Sequence, residues 1–270
     1  MGDSFVMGHN LAADRTFPAQ LESLLGDNYE VYNMGVSGYG PDQSLIQLRD
    51  EALKFKPDIL ILSIFPANDF NDIYKDRLLA PDKDGGLIIR ADNAVQSRIP
   101  DLRIRHLYEY YLCNNSDRLK GYVSGIDRIC ARYSELLELF KDPVDTQFLG
   151  DASPEVTDYK IRLMRAILHN FREITARAGI PFFVVIIPSH NNISDDSALR
   201  KAGVAREKYA FAEDMAKRLC DEEKIPNVNL YPQFIKSSLF GEPLFDPKDT
   251  HLSSRGNAVV ARALYIFGPK

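Results

Sequence analysis

The chain has 270 residues, 45% of them hydrophobic, and a formal net charge of -5. That length and apolar content suffice for a substantial core in one domain, and a net acidic chain argues against a broad nucleic-acid-binding face. No window reaches 18 uninterrupted apolar residues, so no membrane-spanning helix is expected.

Residues 17–25 carry helical apolar spacing closed by Gly26, and 29–33 read as a short strand. A Gly-rich turn at 35–40 precedes an amphipathic helix over 41–55, and Pro57 and Asp58 introduce a strand at 59–65. The spacing of Ile161, Met164, Ile167, Leu168 and Phe171 predicts a helix over 154–178, stopped by Gly179. A strand at 182–187, a helix at 204–223, a strand at 227–230 and a final helix at 254–267 follow. Short apolar strands alternating with helices imply βαβ units, hence a three-layer α/β/α fold built on a doubly wound parallel sheet. Ligands of such sheets bind beyond the carboxyl ends of the strands.

Residues 73–150 break this rhythm. They are rich in Asp, Arg, Lys and Tyr, with turn residues at 84–86 and a plausible helix over 101–140. The chain therefore reads as one domain, 1–270, carrying an insertion at 73–150 that is either a cap over the site or a structural excursion. Cys113, Cys130 and Cys220 are an odd set without close pairing, which reads as three thiols rather than a disulfide framework or a zinc site.

Four polar blocks fall where the fold would place chemistry: Gly2-Asp3-Ser4, Asn33-Met34-Gly35-Val36-Ser37-Gly38, Asn68-Asp69 and Asp249-Thr250-His251. Acyl transfer needs a nucleophile, a base, an orienter for the base, and donors for the oxyanion. Ser4 offers the hydroxyl, and imidazole, whose ordinary pKa lies near neutrality, suits His251 to take its proton. Asp249 can orient the ring. The backbone N–H groups of Ser4 and Gly38, with the Asn68 amide, can hold the oxyanion. Asp3 and Asp69 read as structural hydrogen-bonders beside the nucleophile and the Asn68 loop. Among the other histidines, His9 is expected to be turned away by a helix starting at Ser4. His190 falls on the rim after a strand, His169 lies mid-helix, and His106 sits in the insertion with Tyr108, Tyr110 and Tyr111. No metal-ligand spacing and no phosphate-binding glycine loop is present, so neither metal nor cofactor is expected.

These blocks, in this order, resemble the SGNH/GDSL hydrolase superfamily. The likeness extends to ThrPheProAlaGlnLeu, LysProAspIleLeuIleLeu and AspThrHisLeuSerSerArgGlyAsn, covering residues 1–72 and about 155–267. It implies Ser4 as nucleophile, His251 as base, and Gly38 and Asn68 as further oxyanion donors. Three departures stand out. The usual Asp three residues before the histidine is Lys248, which moves the orienter to Asp249, with Asp246 in reserve. The third block opens Pro66-Ala67 instead of with glycine. The superfamily's central strand, which precedes the Ser block, is missing, which predicts that this chain is a truncated form of a longer protein whose lost stretch would carry any targeting signal or anchor. The implied activity is hydrolysis of carboxylic esters of short acyl groups, acetylated sugars included. The rivals are an O-acyltransferase acting on a glycan with the same residues, and a silent binding domain that keeps the fold.

Overall fold

The computed structural model describes residues 1–76, 78–84, 86–89, 124–128, 130, 149, 152–194 and 206–269. The chain divides into two compact units, Met1–Ile88 with Phe148–Lys270, and Ile89–Gln147. In chain order the helices are α1 (Ser4–Met7), α2 (Phe17–Leu25), α3 (Pro41–Asp50), α4 (Pro66–Asp76), α5 (Pro154–Ala178), α6 (His190–Ile193), α7 (Arg206–Glu222), α8 (Tyr231–Ser238) and α9 (Ser254–Phe267). The strands are β1 (Leu60–Ile64), β2 (Leu79–Pro81), β3 (Leu87–Ile89), β4 (Phe182–Ile186) and β5 (Asn227–Asn229).

Strands β1, β4 and β5 form a parallel sheet in that order. Leu60 stands opposite Phe182 at one end of the first ladder and Ile64 opposite Ile186 at the other. β4 is buried on both faces, and its period of two assigns them. Phe183, Val185 and the following Ile187 share a core with Phe17 and Leu21 of α2, Phe234 of α8, and Val260 and Leu264 of α9. On the opposite face Phe182 stacks on Phe171 of α5, ring centroids 5.4 Å apart. Helices α3, α4, α5 and α7 pack together on that side. The result is the three-layer α/β/α architecture expected.

The end helices are set by their caps. Ser153 accepts from the N–H of Val156 at the start of α5 and Gly179 closes it; Ser253 accepts from the N–H of Gly256 at the start of α9.

Beside β1, Met1 and Gly2 continue the sheet's hydrogen bonding. The Met1 nitrogen donates to the Ile61 carbonyl (2.8 Å), and the Met1 carbonyl accepts from Ser63 (2.9 Å). On its other side Gly2 bridges Gly35 in parallel, with Val36 N–H donating to the Gly2 carbonyl at 3.0 Å. The strand expected at 29–33 does not form; the sheet contact of this stretch is the bridge at Gly35. The helix expected over 41–55 ends at Asp50 and gives way to a 3-10 turn, Ala52–Phe55.

The second unit is narrower than the insertion read from the sequence. Residues 73–76 complete α4, and β2 and β3 form a two-stranded sheet. Most of the helix expected over 101–140, with His106 and its tyrosines, lies outside the described residues. Cys130 is disulfide-bonded, contrary to the reading of three thiols, whereas Cys220 is a buried free thiol whose pKa burial pushes up to about 12. Among the described residues no helix is long and apolar enough to cross a membrane.

Candidate active site

Ser4 is the first residue of α1, separated from the bridged Gly2 by Asp3 alone. Asp3 caps the helix by accepting from the N–H of Phe5 at 2.9 Å. As the first helical residue, Ser4 presents an N–H without an intrahelical acceptor. Gly35 lets the 33–38 loop approach: a Cβ there would stand 2.3 Å from the Met7 nitrogen. Asn33 ties the same loop to α1, donating to the Val6 carbonyl at 3.0 Å.

His251 arrives from the other end of the chain. Phe245 and Leu252 bridge in antiparallel fashion, and the intervening loop is closed by Asp246 N–H donating to the His251 carbonyl (2.7 Å) and Thr250 N–H to the Asp246 carbonyl (2.8 Å). Nε2 of His251 stands 2.9 Å from Oγ of Ser4. On the other edge of the ring, Nδ1 lies 3.5 Å from Oδ2 of Asp249. Oδ1 of Asp249 accepts from the His251 N–H at 3.0 Å and Oδ2 from the Asn10 amide at 2.6 Å. Partial burial works to raise the Asp249 pKa. The bonds from His251 and Asn10, with the charges of His251 and His9, outweigh it and hold the carboxyl below its usual range. Asp246 is committed elsewhere, its Oδ1 accepting from the N–H of Lys248 at 2.8 Å.

Gly38 sits in the turn Val36–Tyr39, closed by Tyr39 N–H to the Val36 carbonyl at 3.1 Å. Its φ of 77° belongs to the left-handed region that glycine enters freely. Pro66 opens α4, and Asn68 in its first turn donates to Oδ2 of Asp3 at 3.4 Å. Asp3 thus joins the Ser4 turn to Asn68, while Asp69 accepts from Phe65 N–H at 2.7 Å and fixes the entry to α4. Burial raises the pKa of both carboxyls, and the negative charges of Asp3, Asp72 and Asp42 push Asp69 further up. Ser4, Asp249 and His251 are therefore brought together, with Asn68 joined to them through Asp3. A 520 Å³ cavity lined by Arg172, Phe182, Lys224 and Phe267 lies at the amino ends of β4 and β5, away from this group.

Two residues missed in the sequence complete the site. Helix α1 lasts one turn, and Gly8, with φ 81°, reverses the chain, so that His9 folds back instead of turning away. Its ring lies 4.6 Å from that of His251, whose other neighbour is Phe5 at 5.1 Å. Asn10, also left-handed at φ 61°, follows onto Asp249. The lack of metal-ligand spacing along the chain is also overtaken by the fold: His9, Asp249 and His251 place one potential ligand atom each within 4.8 Å of one another. His190 begins α6 with its ring edge-on to Phe245 (5.5 Å), beside the His251 loop. His169 pairs with Glu223 on the far face of the sheet.

The profile of the GDSL-like Lipase/Acylhydrolase family matches residues 1–259. The chain belongs to this family. It is accordingly a hydrolase of the carboxylic-ester class. LAE5, an alpha/beta hydrolase enzyme from the metagenome of Lake Arreo, Spain, shares its fold at a TM-score of 0.51 and 13% identity, over 99% of this chain and 92% of that one. A G-D-S-L family protein from Desulfitobacterium hafniense DCB-2 aligns at a TM-score of 0.48 and 13% identity, over 98% and 97% of the two chains. The acetyl xylan esterase AlAXEase aligns at 0.48 and 11%, over 98% and 96%. No curated protein matches this GDSL hydrolase by sequence.

Proposed function

We propose that this GDSL hydrolase cleaves carboxylic esters of short acyl groups through an acyl-enzyme on Ser4. The observation that carries the reading is the 2.9 Å approach of His251 Nε2 to Ser4 Oγ, between residues 247 positions apart. Oγ attacks the ester carbonyl as its proton passes to Nε2. The tetrahedral oxyanion forms beside the Ser4 N–H, with the Gly38 N–H and the Asn68 amide as further donors. The imidazolium then returns the proton to the departing alkoxide. Water, activated by the same nitrogen, cleaves the acyl-enzyme and frees Ser4. Asp249 beside Nδ1 holds the ring with its lone pair toward Ser4 and supports the transient positive charge. The reading takes small acyl groups, such as acetyl esters of sugars, as the substrates, and a chain-length series tests that choice.

The test combines a fluorophosphonate probe with p-nitrophenyl esters of rising chain length. Wild type is labelled and hydrolyses the acetate fastest, whereas Ser4→Ala is neither labelled nor active. Folded wild type that takes no label defeats the reading. Acyl transfer to an added sugar in preference to water would redirect it to an acyltransferase.

A further inference from the structure

His251 and its neighbours His9 and Asp249 also form a ligand set. His9, Asp249 and His251 offer one nitrogen or oxygen each, all within 4.8 Å of one another. One pair of candidate ligand atoms already stands at ligation spacing. Nδ1 of His251 and Oδ2 of Asp249 are 3.5 Å apart, and ligands held at about 2.0–2.2 Å in a zinc tetrahedron lie roughly 3.4 Å from each other. Nδ1 of His251 is buried and has no hydrogen-bond partner among the described residues. Oδ2 of Asp249 already accepts from Asn10, but a carboxylate has about four lone-pair sites and can keep that bond while ligating. His9 is delivered by the left-handed turn at Gly8, its ring 4.6 Å from that of His251. All three side chains are partly exposed, and a small shift of the rings opens Nδ1, itself buried, to an ion.

We propose that His9, Asp249 and His251 bind a zinc ion that reversibly switches the hydrolase off. The ligand chemistry, one carboxylate and two imidazoles, is that of three-residue zinc sites with an open fourth position. The inhibition follows from imidazole itself. A neutral ring has one N–H and one lone pair. In the working state the proton is on Nδ1, facing Asp249, and the lone pair is on Nε2, facing Ser4. Zinc on Nδ1 takes that nitrogen's electron pair, and the displaced proton moves to Nε2. Nε2 then donates to Ser4 Oγ and has nothing with which to accept the hydroxyl proton. Zinc at the same time occupies Asp249, which loses its role as orienter. The inhibition rests on the acyl-enzyme reading of Ser4 and His251; the binding does not.

The experiment is a direct zinc titration of the whole chain against a chromogenic chelator, paired with p-nitrophenyl acetate hydrolysis at matched zinc concentrations. Wild type is expected to bind one zinc and to lose activity in step, with recovery on adding EDTA. His9→Phe keeps a ring against His251 but offers no ligand. It should bind zinc more weakly by over the ~10–100-fold that loss of a merely supporting partner gives, and its own rate should become correspondingly insensitive to zinc. Ser4→Ala, inactive on the reading above, should bind zinc as wild type does. Failure of wild type to bind stoichiometric zinc, or equal binding by His9→Phe, overturns the metal site and leaves ester hydrolysis standing. Zinc-free wild type that hydrolyses no ester defeats the acyl-enzyme reading instead, and titration of Ser4→Ala still decides the metal site.

Discussion

The side-chain amide of Asn10 donates to Oδ2 of Asp249 across 2.6 Å, joining residues 239 positions apart. Asp249 is thereby held at both oxygens, since Oδ1 accepts from the His251 N–H. The residue expected to orient the imidazole is itself oriented by the turn that follows the Ser4 helix. A hydrogen bond to a charged group contributes about 1.5–3 kcal/mol, and an exposed one falls at or below the lower end. Asn10→Ala should therefore lower kcat about tenfold, which corresponds to about 1.4 kcal/mol, with little change in KM. Steady-state kinetics on p-nitrophenyl acetate check this. A rise in KM at constant kcat would show that Asn10 touches substrate instead.

The two aspartates of the His251 loop have separable tasks. Asp249 faces Nδ1 at 3.5 Å, whereas Asp246 accepts from the Lys248 N–H and shapes the loop. Asp249→Asn keeps an acceptor for the His251 N–H but removes the charge that supports the imidazolium. Its kcat should fall by about 10–100-fold, less than where an orienter makes a short bond to Nδ1. Asp246→Asn keeps its Oδ1 acceptor and should stay within about threefold of wild type, a loss of under 1 kcal/mol. Equal losses in the two variants would remove Asp249 from the scheme.

The helices that stand where the sequence placed them, Phe17–Leu25, Pro154–Ala178 and Ser254–Phe267, combine a clear apolar face with a stop or cap residue such as Gly26, Gly179 or Ser253. The strands β1 and β4 were legible because a buried parallel strand is apolar on both faces. Residues 29–33 have strand composition but pair with no strand among the described residues, and pairing depends on the neighbour as much as on the segment. The order of the four blocks placed Asn68 after a strand and His251 just before the last helix, yet carried no trace of the Asn10–Asp249 bond. The position of His9 turns on a local signal. Continuing α1 beyond Met7 would have turned it away, but Gly8 already marked a left-handed stop four residues after Ser4. Asn10 had no such signal, because a lone Asn in a polar loop is ordinary turn chemistry.

Asn257 holds the His251 loop to the rest of the fold. It is fully buried in α9. Its Oδ1 accepts from the Phe17 N–H at 2.8 Å, and its Nδ2 donates to the carbonyls of Leu252 (3.3 Å) and Ser253 (3.0 Å). Asn257→Ala would orphan the Phe17 N–H and take the side-chain donor from the Leu252 carbonyl, while the Ser253 carbonyl keeps the backbone N–H of residue 257 at 2.9 Å. Leaving a buried polar group unpaired costs about 1–3 kcal/mol, which for a chain of this size lowers Tm by roughly 3–10 °C. Asn257→Asp keeps the acceptor but buries a carboxyl against the Leu252 and Ser253 carbonyls, so its Tm should fall at least as far as that of the alanine variant. Thermal unfolding followed by circular dichroism decides this, and an unchanged Tm for the alanine variant would remove Asn257 from the scaffold.

Glu213 should make stability depend on pH near neutrality. It lies in α7 and accepts from the Ser189 N–H at 3.1 Å, with a further bond from the Asn192 side chain, so it pins the loop that follows β4. Burial pushes its pKa from 4.5 up to about 7, and the neighbouring Asp214 charge adds to the rise; the two hydrogen bonds oppose it but do not win. The folded state therefore prefers the protonated acid. Below pH 4.5 both folded and unfolded chains carry the proton, and the stability linked to Glu213 is fully present. As pH rises toward about 7 the unfolded chain gives up its proton first, and that stability is progressively lost. At about 1.4 kcal/mol per pH unit the loss amounts to about 3 kcal/mol above pH 7. Glu213→Gln keeps an oxygen for the Ser189 N–H and cannot ionise. Its urea midpoint should change less than that of wild type between pH 5 and pH 8, and should exceed it at pH 8. Parallel curves for the two proteins would show that Glu213 is already ionised in the fold, held charged by Ser189 and Asn192 against its burial.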